Sequence, residues 1–440
     1  MMRSGTDRRT GFTPPPEAKP AYTLPSDLFL EIVARTSDAA TVLRCAAICK
    51  ELRRGILSPG FVRRICHGPD ALMPPSFLGY LRVHNDDERR ASFSLVHPAT
   101  PAAVAFSRRR LVPLLQTYRA GARARLLGKY TPVAASRNGL VALRRRCGDI
   151  CVYDPMAGGG HRPAQHVPLP PGIEKPSRRA RRGFSWTYVL LTAADAGVGC
   201  SSFLLFAAGF STAAPDGITV QTVSSDDAAG GGAWGPSPVR ASRQLSFVQP
   251  HCWGGAVVLG GSVHWLMFTG EEFHILAYDV RAAAAAAASI DVPAACLPDR
   301  RDGRRRKESD LHLTSSRDGR LALLVADRLT ISVWVLSAGG TSWARRSVID
   351  TEPTLRYVSL ALPPESDWSS TVIFASSGAK SGAVLVRPFS SQEFLNCKGE
   401  QGLLLLDVET KKVRRVKKKM QEDFPYEVGM EARLLGMKIY

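Results

Sequence analysis

A mainly β fold with a small α domain at the amino end is what this sequence predicts. Apolar residues recur at helical spacing between about residues 22 and 66. From residue 136 onward, a unit of tight turn plus apolar strand comes back several times. The apolar share of 45% is that of a globular protein, so a chain of 440 residues can bury a substantial core.

Residues 1–21 are expected to form a disordered tail, since they carry no apolar stretch of the signal-peptide kind and end in prolines. The helical domain is placed at 22–66. Leu24-Pro25 opens it, because proline suits the first turn of a helix and Ser26 or Asp27 can cap that turn. Leu28, Leu30, Ile32 and Val33 follow, covering more of the helix than the one stripe a small domain buries. A second helix is expected after Ser37-Asp38 with Val42, Leu43, Ala46 and Ala47 inward, and a third from about Cys49 to Leu57, stopping before Pro59. Three short helices hide too little surface to stand alone, so part of this apolar surface is expected to face another chain.

The stretch resembles the F-box, the adaptor-binding module of SCF-type ubiquitin ligases. The resemblance rests on Leu24-Pro25-Ser26-Asp27-Leu28, Ile32-Val33 and the run Val42 to Lys50, followed by Arg53 and Ser58-Pro59-Gly60-Phe61. It implies a helical hook that docks on a Skp-family adaptor and through it on a cullin, with Leu24, Pro25, Leu28, Ile32, Val42, Leu43, Cys49 and Leu52 as the adaptor-binding side chains. Two positions depart from the family pattern: Leu52 stands where tryptophan is usual and Thr36 where leucine is usual. Both changes reduce apolar surface.

The second domain is placed at 70–440. Between about Asp70 and Arg125 only short strands are expected, in apolar pieces such as Phe77 to Val83 and Ala102 to Phe106. Then Ser136-Arg137-Asn138-Gly139-Leu140-Val141-Ala142-Leu143 returns as Ser316-Arg317-Asp318-Gly319-Arg320-Leu321-Ala322-Leu323, with Gly260-Gly261-Ser262-Val263-His264-Trp265-Leu266 as a looser copy. Each has a turn pair that tolerates positive φ and then an apolar strand. Further strands of common shape follow at Ile150 to Asp154, Ile275 to Asp279 and Ile331 to Trp334, with Leu403 to Asp407 as a fourth lacking a clear turn before it. The spacing between the turns fits a period near 60 with one degenerate copy, which predicts a β-propeller of about six blades. A two-sheet β-sandwich is the alternative. Asn138 to Val141, Val152 to Pro155, Gly261 to Leu266 and Phe424 to Val428 resemble the propeller-like associated domain of plant F-box proteins, especially those of grasses.

Residues 226–238, 282–288 and 298–310 read as low-complexity surface loops. The segment Trp186 to Phe210 is long enough to cross a bilayer, but Asp195 and a turn-like break interrupt it, so a buried hairpin is expected and no membrane partner.

The nine cysteines are scattered without a C-x-x-C pair, which fits neither a disulfide framework nor a zinc site and points to the nucleus and/or cytoplasm. Cys45 and Cys49, one helical turn apart, are expected to be small core residues. The net charge of +19 is gathered in runs such as Arg144 to Arg146, Arg178 to Arg182 and Lys411 to Lys419. These suit solvated loops, import signals or an acidic partner, nucleic acid included, although no aromatic residues are interleaved.

Gly230, Gly232 and Gly235 spell G-x-G-x-x-G, but no strand precedes them and Pro236 and Pro238 forbid the helix that would hold a phosphate. No P-loop, H-E-x-x-H or G-x-S-x-G occurs, so no catalytic residue, metal site or cofactor is expected. The functional expectation is a non-catalytic receptor subunit of a ubiquitin ligase whose propeller binds a protein substrate. The alternative is a basic nuclear or nucleic-acid-associated scaffold with a degenerate F-box.

Overall fold

The computed structural model describes residues 24–35, 42, 45–46, 48–67, 77–86, 90–96, 130–145, 150–153, 164–168, 170, 184–192, 195, 203–211, 218–225, 234–235, 239–240, 249–250, 255–268, 272–280, 287–297, 310–316, 318–353, 371–378, 382–389, 403–416 and 423–428. The chain divides into two compact units, residues 1–72 and 73–440. The expected tail at 1–21, Thr36, Leu43, Ala47 and the basic run 178–182 lie outside the described residues.

In the first unit, helix α1 spans Ser26–Arg35, α2 Lys50–Ile56 and α3 Pro59–His67. Val42, Cys45, Ala46 and Ile48 are helical as well. As its sequence suggests, helical structure breaks before Pro59: α2 ends at Ile56 with Leu57 as its C-cap, and what was not expected is α3, which starts on that proline. The first helical position has no use for an N–H, and the backbone there is capped by Ser58, whose carbonyl accepts from Val62 N at 3.0 Å. Phe61, Val62 and Ile65 of α3 are buried, together with Val33, Ala34, Val42, Ala46 and Ile56.

The second unit consists of antiparallel sheets. Tyr130–Arg137 (β3), Leu140–Arg145 (β4), Ile150–Tyr153 (β5) and Ala164–Val167 (β6) form the first four-stranded sheet after two leading strands, Phe77–Asp86 (β1) and Arg90–Val96 (β2). The next holds Phe184–Thr192 (β7), Phe203–Ser211 (β8), Ile218–Ser224 (β9) and Val239–Arg240 (β10). A five-stranded sheet follows, from Gln249–Pro250 (β11), Val257–Leu259 (β12), Ser262–Phe268 (β13), Phe273–Asp279 (β14) and Ala287–Asp291 (β15). Leu311–Ser315 (β16), Leu321–Asp327 (β17), Thr330–Leu336 (β18) and Trp343–Asp350 (β19) make the fourth sheet. Thr371–Ser377 (β20), Ala383–Phe389 (β21), Leu403–Asp407 (β22) and Val413–Val416 (β23) make the fifth. The last strand, Asp423–Glu427 (β24), returns to pair with β1, giving a three-stranded sheet in the order β2-β1-β24.

These sheets contact one another in cyclic order: β24 lies against β3, β3 against β7, β8 against β11, β12 and β13 against β16, β16 and β17 against β20, and β20 against β24. The architecture is therefore a β-propeller and not a sandwich. Among the described residues five complete blades form, fewer than the six or so expected, and the remaining sheet has three strands, drawn from both ends of the unit.

Strand β17 shows why such strands read as unbroken apolar runs. Leu321, Leu323 and Val325 face the cluster shared with the third blade, while Leu324 and Ala326 face the cluster shared with the fifth. Successive side chains leave a strand on opposite faces, and here both faces are covered by neighbouring blades.

The repeated turns fall at hairpins of the first, third and fourth blades. Asn138-Gly139, Gly260-Gly261 and Asp318-Gly319 join the hairpins β3–β4, β12–β13 and β16–β17, and Asn138, Gly139, Gly260, Gly261 and Gly319 all have positive φ. The strands of common shape, β5, β14, β18 and β22, follow them in their blades. The fifth blade does have its turn, marked by Gly382 at φ 66° before β21. The apolar segment 186–210 is the hairpin β7–β8 of the second blade, the degenerate copy. Among the described residues no helix is long and apolar enough to cross a membrane.

Two of the expected surface loops are corrected. Ala287 and Ala288 begin β15, held by pairing with Tyr278 and Ala277. Trp234, in the glycine-rich stretch, is buried against the first and second blades and donates its indole N–H to Pro168 O at 2.8 Å, because so large an apolar ring is worth more inside than out. Two basic runs also extend into strands: Arg144 and Arg145 lie in β4, and Arg414 and Arg415 in β23.

Candidate functional site

The residues of α1 decide one candidate surface. Pro25 O accepts from Phe29 N at 3.1 Å, so the helix begins on the Leu-Pro step. The Ser26 hydroxyl, expected to be an N-cap, instead donates to Glu51 at 2.8 Å and ties the start of α1 to α2. Glu31 accepts from Arg64 of α3, with its closest contact at 2.7 Å, and from Arg35 one turn further along α1 at 2.9 Å. Those two hydrogen-bonded guanidinium groups hold the Glu31 carboxyl down at about 2, well below the usual carboxylate value. Leu30 packs on α2 at Gly55, where an added Cβ would stand 2.8 Å from a Leu30 methyl.

With Leu30, Val33 and Ala34 turned inward and the polar braces fixing the rotation of α1, the stripe at Leu24, Leu28 and Ile32 is left outward at helical spacing. Their exposures are 50, 53 and 54%. Phe29 (36%) and Ile48 (70%) are exposed too. Singly exposed leucines need no explanation, but a run of large apolar side chains on one short helix is the mark of an interaction surface.

Of the predicted adaptor-binding residues, Leu24, Pro25, Leu28 and Ile32 are thus exposed on α1 and its lead-in. Val42 is buried at 1% and is not on this surface. Leu43 lies outside the described residues, and Leu52 is half-buried on α2. Cys49 is exposed and not a core residue: it has left the helix, with φ −148°, and its sulfur caps α2 by accepting from Leu52 N at 3.4 Å. Cys45 is half-buried. Phe29 and Ile48 were not among the predicted residues, although Ile48 sits inside the run Val42 to Lys50 and Phe29 directly follows Leu28.

A second cluster, in the propeller, was not foreseen. Asp195, seen in the sequence only as one charge in an apolar stretch, is a buried ion-pair partner of Arg137; the two side chains are 6 and 8% exposed. Its Oδ2 accepts from Arg137 Nε at 2.8 Å, Thr192 N at 3.1 Å, Thr192 Oγ1 at 2.6 Å and Asn138 Nδ2 at 3.2 Å, and its Oδ1 accepts from Arg137 Nη2 at 2.7 Å. Arg137 Nη2 also reaches Val258 O at 3.0 Å in the third blade. A carboxylate saturated by five donors, against a guanidinium that does not give up its proton, has no capacity for acid-base chemistry. The cluster is a brace across three consecutive blades.

His264 is buried on β13, with Nδ1 3.3 Å from Val257 O, and burial pushes its pKa below the usual histidine value. Burial pushes the Cys151 thiol up to about 12, so it is inert at neutral pH. Among the described residues no group of three or more metal-ligating side chains comes together.

The family described as a domain of unknown function, DUF7595, matches residues 115–424. No curated protein matches the chain by sequence. Solved structures similar to it include a quinonprotein alcohol dehydrogenase-like protein from Bacteroides thetaiotaomicron, at 12% identity and TM-score 0.34 over 80% of this chain and 78% of that one. Another is the complex of the fission yeast SREBP-SCAP binding domains, at 8% identity and TM-score 0.31 over 63% and 73%.

Proposed function

The chain belongs to the DUF7595 family, and on that footing we propose that it is the substrate receptor of an SCF-type ubiquitin ligase, an F-box protein of the kind found in plants. The observation that carries this reading is the exposed stripe Leu24, Leu28 and Ile32 on α1 and its lead-in, whose sequence resembles the start of an F-box. Covering such half-exposed side chains is worth about 1 kcal/mol each, enough in sum to shift binding of a Skp-family adaptor by orders of magnitude. The propeller would hold a protein substrate, with the three-stranded sheet serving as its sixth blade. The chain would catalyse nothing itself: fixing the substrate beside the ubiquitin-charged enzyme raises its effective concentration there. Its place of action would be the nucleus and/or cytoplasm.

The test is a binding assay with a purified Skp-family adaptor. The wild-type chain is expected to bind, and Leu28→Glu with Ile32→Glu to abolish binding while helix content by circular dichroism stays unchanged. Failure of the wild-type chain to bind any such adaptor overturns the reading. The net charge of +19 favours a second reading, a nucleic-acid-associated scaffold. Retention on nucleic acid that weakens steeply with salt, in a chain that ignores the adaptor, would select it.

A further inference from the structure

The sequence contains one Asn-Gly step, Asn138-Gly139, and the fold spends an unusual number of contacts on it. Asn138 is 8% exposed and sits at φ 47°, followed by Gly139 at φ 85°. Its amide donates to Thr192 Oγ1 at 2.6 Å and to Asp195 Oδ2 at 3.2 Å. Gly139 N donates to Glu427 O at 2.6 Å, and Gly139 O accepts from the Tyr426 hydroxyl at 3.1 Å. The turn is thus clamped on one side by the second blade and on the other by β24, the strand that closes the ring.

We infer that Asn138-Gly139 is a self-modification site kept unreactive by ring closure, so that a molecule whose closing strand comes away is marked irreversibly. The reaction is deamidation with solvent water as co-reactant. Gly139 N loses its proton to solvent base and attacks Asn138 Cγ; the new C–N bond closes a five-membered imide as the Cγ–Nδ2 bond breaks and ammonia leaves. Water then opens the imide to aspartate or isoaspartate. Glycine leaves the attacking nitrogen unshielded, which makes this dipeptide the most open to the reaction on steric grounds.

In the closed ring both partners are withheld. The hydrogen of Gly139 N is engaged by Glu427 O, and Cγ cannot swing toward that nitrogen while its amide is held by Thr192 and Asp195. Once β24 detaches, the nitrogen is freed and the turn can flex. The product does not fit back: a carboxylate at 138 replaces a donor with a second negative charge beside Asp195, and the isoaspartyl form lengthens the backbone where β3 meets β4. The inference is independent of the ligase reading.

The test is a time course of the intact chain at mildly alkaline pH, with peptide mapping by mass spectrometry of the segment around Asn138. Conversion in the native chain is expected to be about tenfold or more slower than in the same chain held in denaturant, since reaction requires opening. Tyr426→Phe, which removes one clamp and keeps the ring, is expected to speed it severalfold. Should that variant fail to fold, hydrogen exchange at Gly139 in the wild-type chain decides, with slow exchange expected. Chain converted in denaturant and returned to buffer is expected to show lost protection at Gly139. Equal rates in native and denatured chain, or full protection regained after conversion, overturns the inference.

Discussion

Asp195 is the residue on which three blades depend. Replacing it by asparagine keeps the volume and removes the charge, leaving the buried Arg137 guanidinium without its carboxylate partner. Breaking a buried pair on one side costs about 3–5 kcal/mol. We therefore predict that Asp195→Asn lowers the unfolding free energy of the propeller by that amount, seen as a lower denaturant midpoint, and that Arg137→Met with Asp195→Leu restores part of it. Each of these residues was visible in the sequence, but not their meeting. Asn138 could be read as a turn former from its glycine, whereas the partnership of Arg137 with Asp195, 58 positions apart, follows from how one blade lies on the next and leaves no periodic trace.

Helices α1 and α3 illustrate the same limit at the level of elements. The start of α1 was legible from Leu24-Pro25, and the surplus of apolar positions on it correctly announced an exposed stripe. The presence of α3 was not, because proline stops a helix and also starts one, and only the serine before it tilts the balance. The Glu31–Arg64 contact joins these two helices and carries a pH dependence whose sign follows from its shift. A carboxyl depressed from an ordinary 4.5 to about 2 contributes stability that is fully present above 4.5 and is lost as pH falls toward 2. We predict that protection of α1 and α3 amides in hydrogen exchange declines across that acid window, and that Glu31→Gln removes the decline. In the propeller, turn pairs with positive φ gave the repeat and hence the fold class; the alanine run hid the start of β15, since alanine carries no strand signal of its own.

For the molecule as a whole, the ring is completed by β24 between β1 and β3. Tyr426 is fully buried there. Truncating a large buried aromatic side chain costs about 3–5 kcal/mol. Tyr426→Ala is accordingly predicted to destabilise the entire propeller and not its last strand alone, seen as a single shifted unfolding transition. The blade count was the least legible property at this scale, because the sheet that joins the two ends has no repeat to announce it.

That joint also fixes an order of events during synthesis. Strands β1 and β2 leave the ribosome before all five complete blades, yet the segment that pairs with the free edge of β1 follows the last of them. Until Asp423–Glu427 emerges, a nascent chain with every other blade in place still offers an unpaired strand edge to its surroundings. Quality control that captures such edges would see this protein as unfinished until β24 has been translated, and any mutation that slows the arrival of β24 would lengthen that exposure.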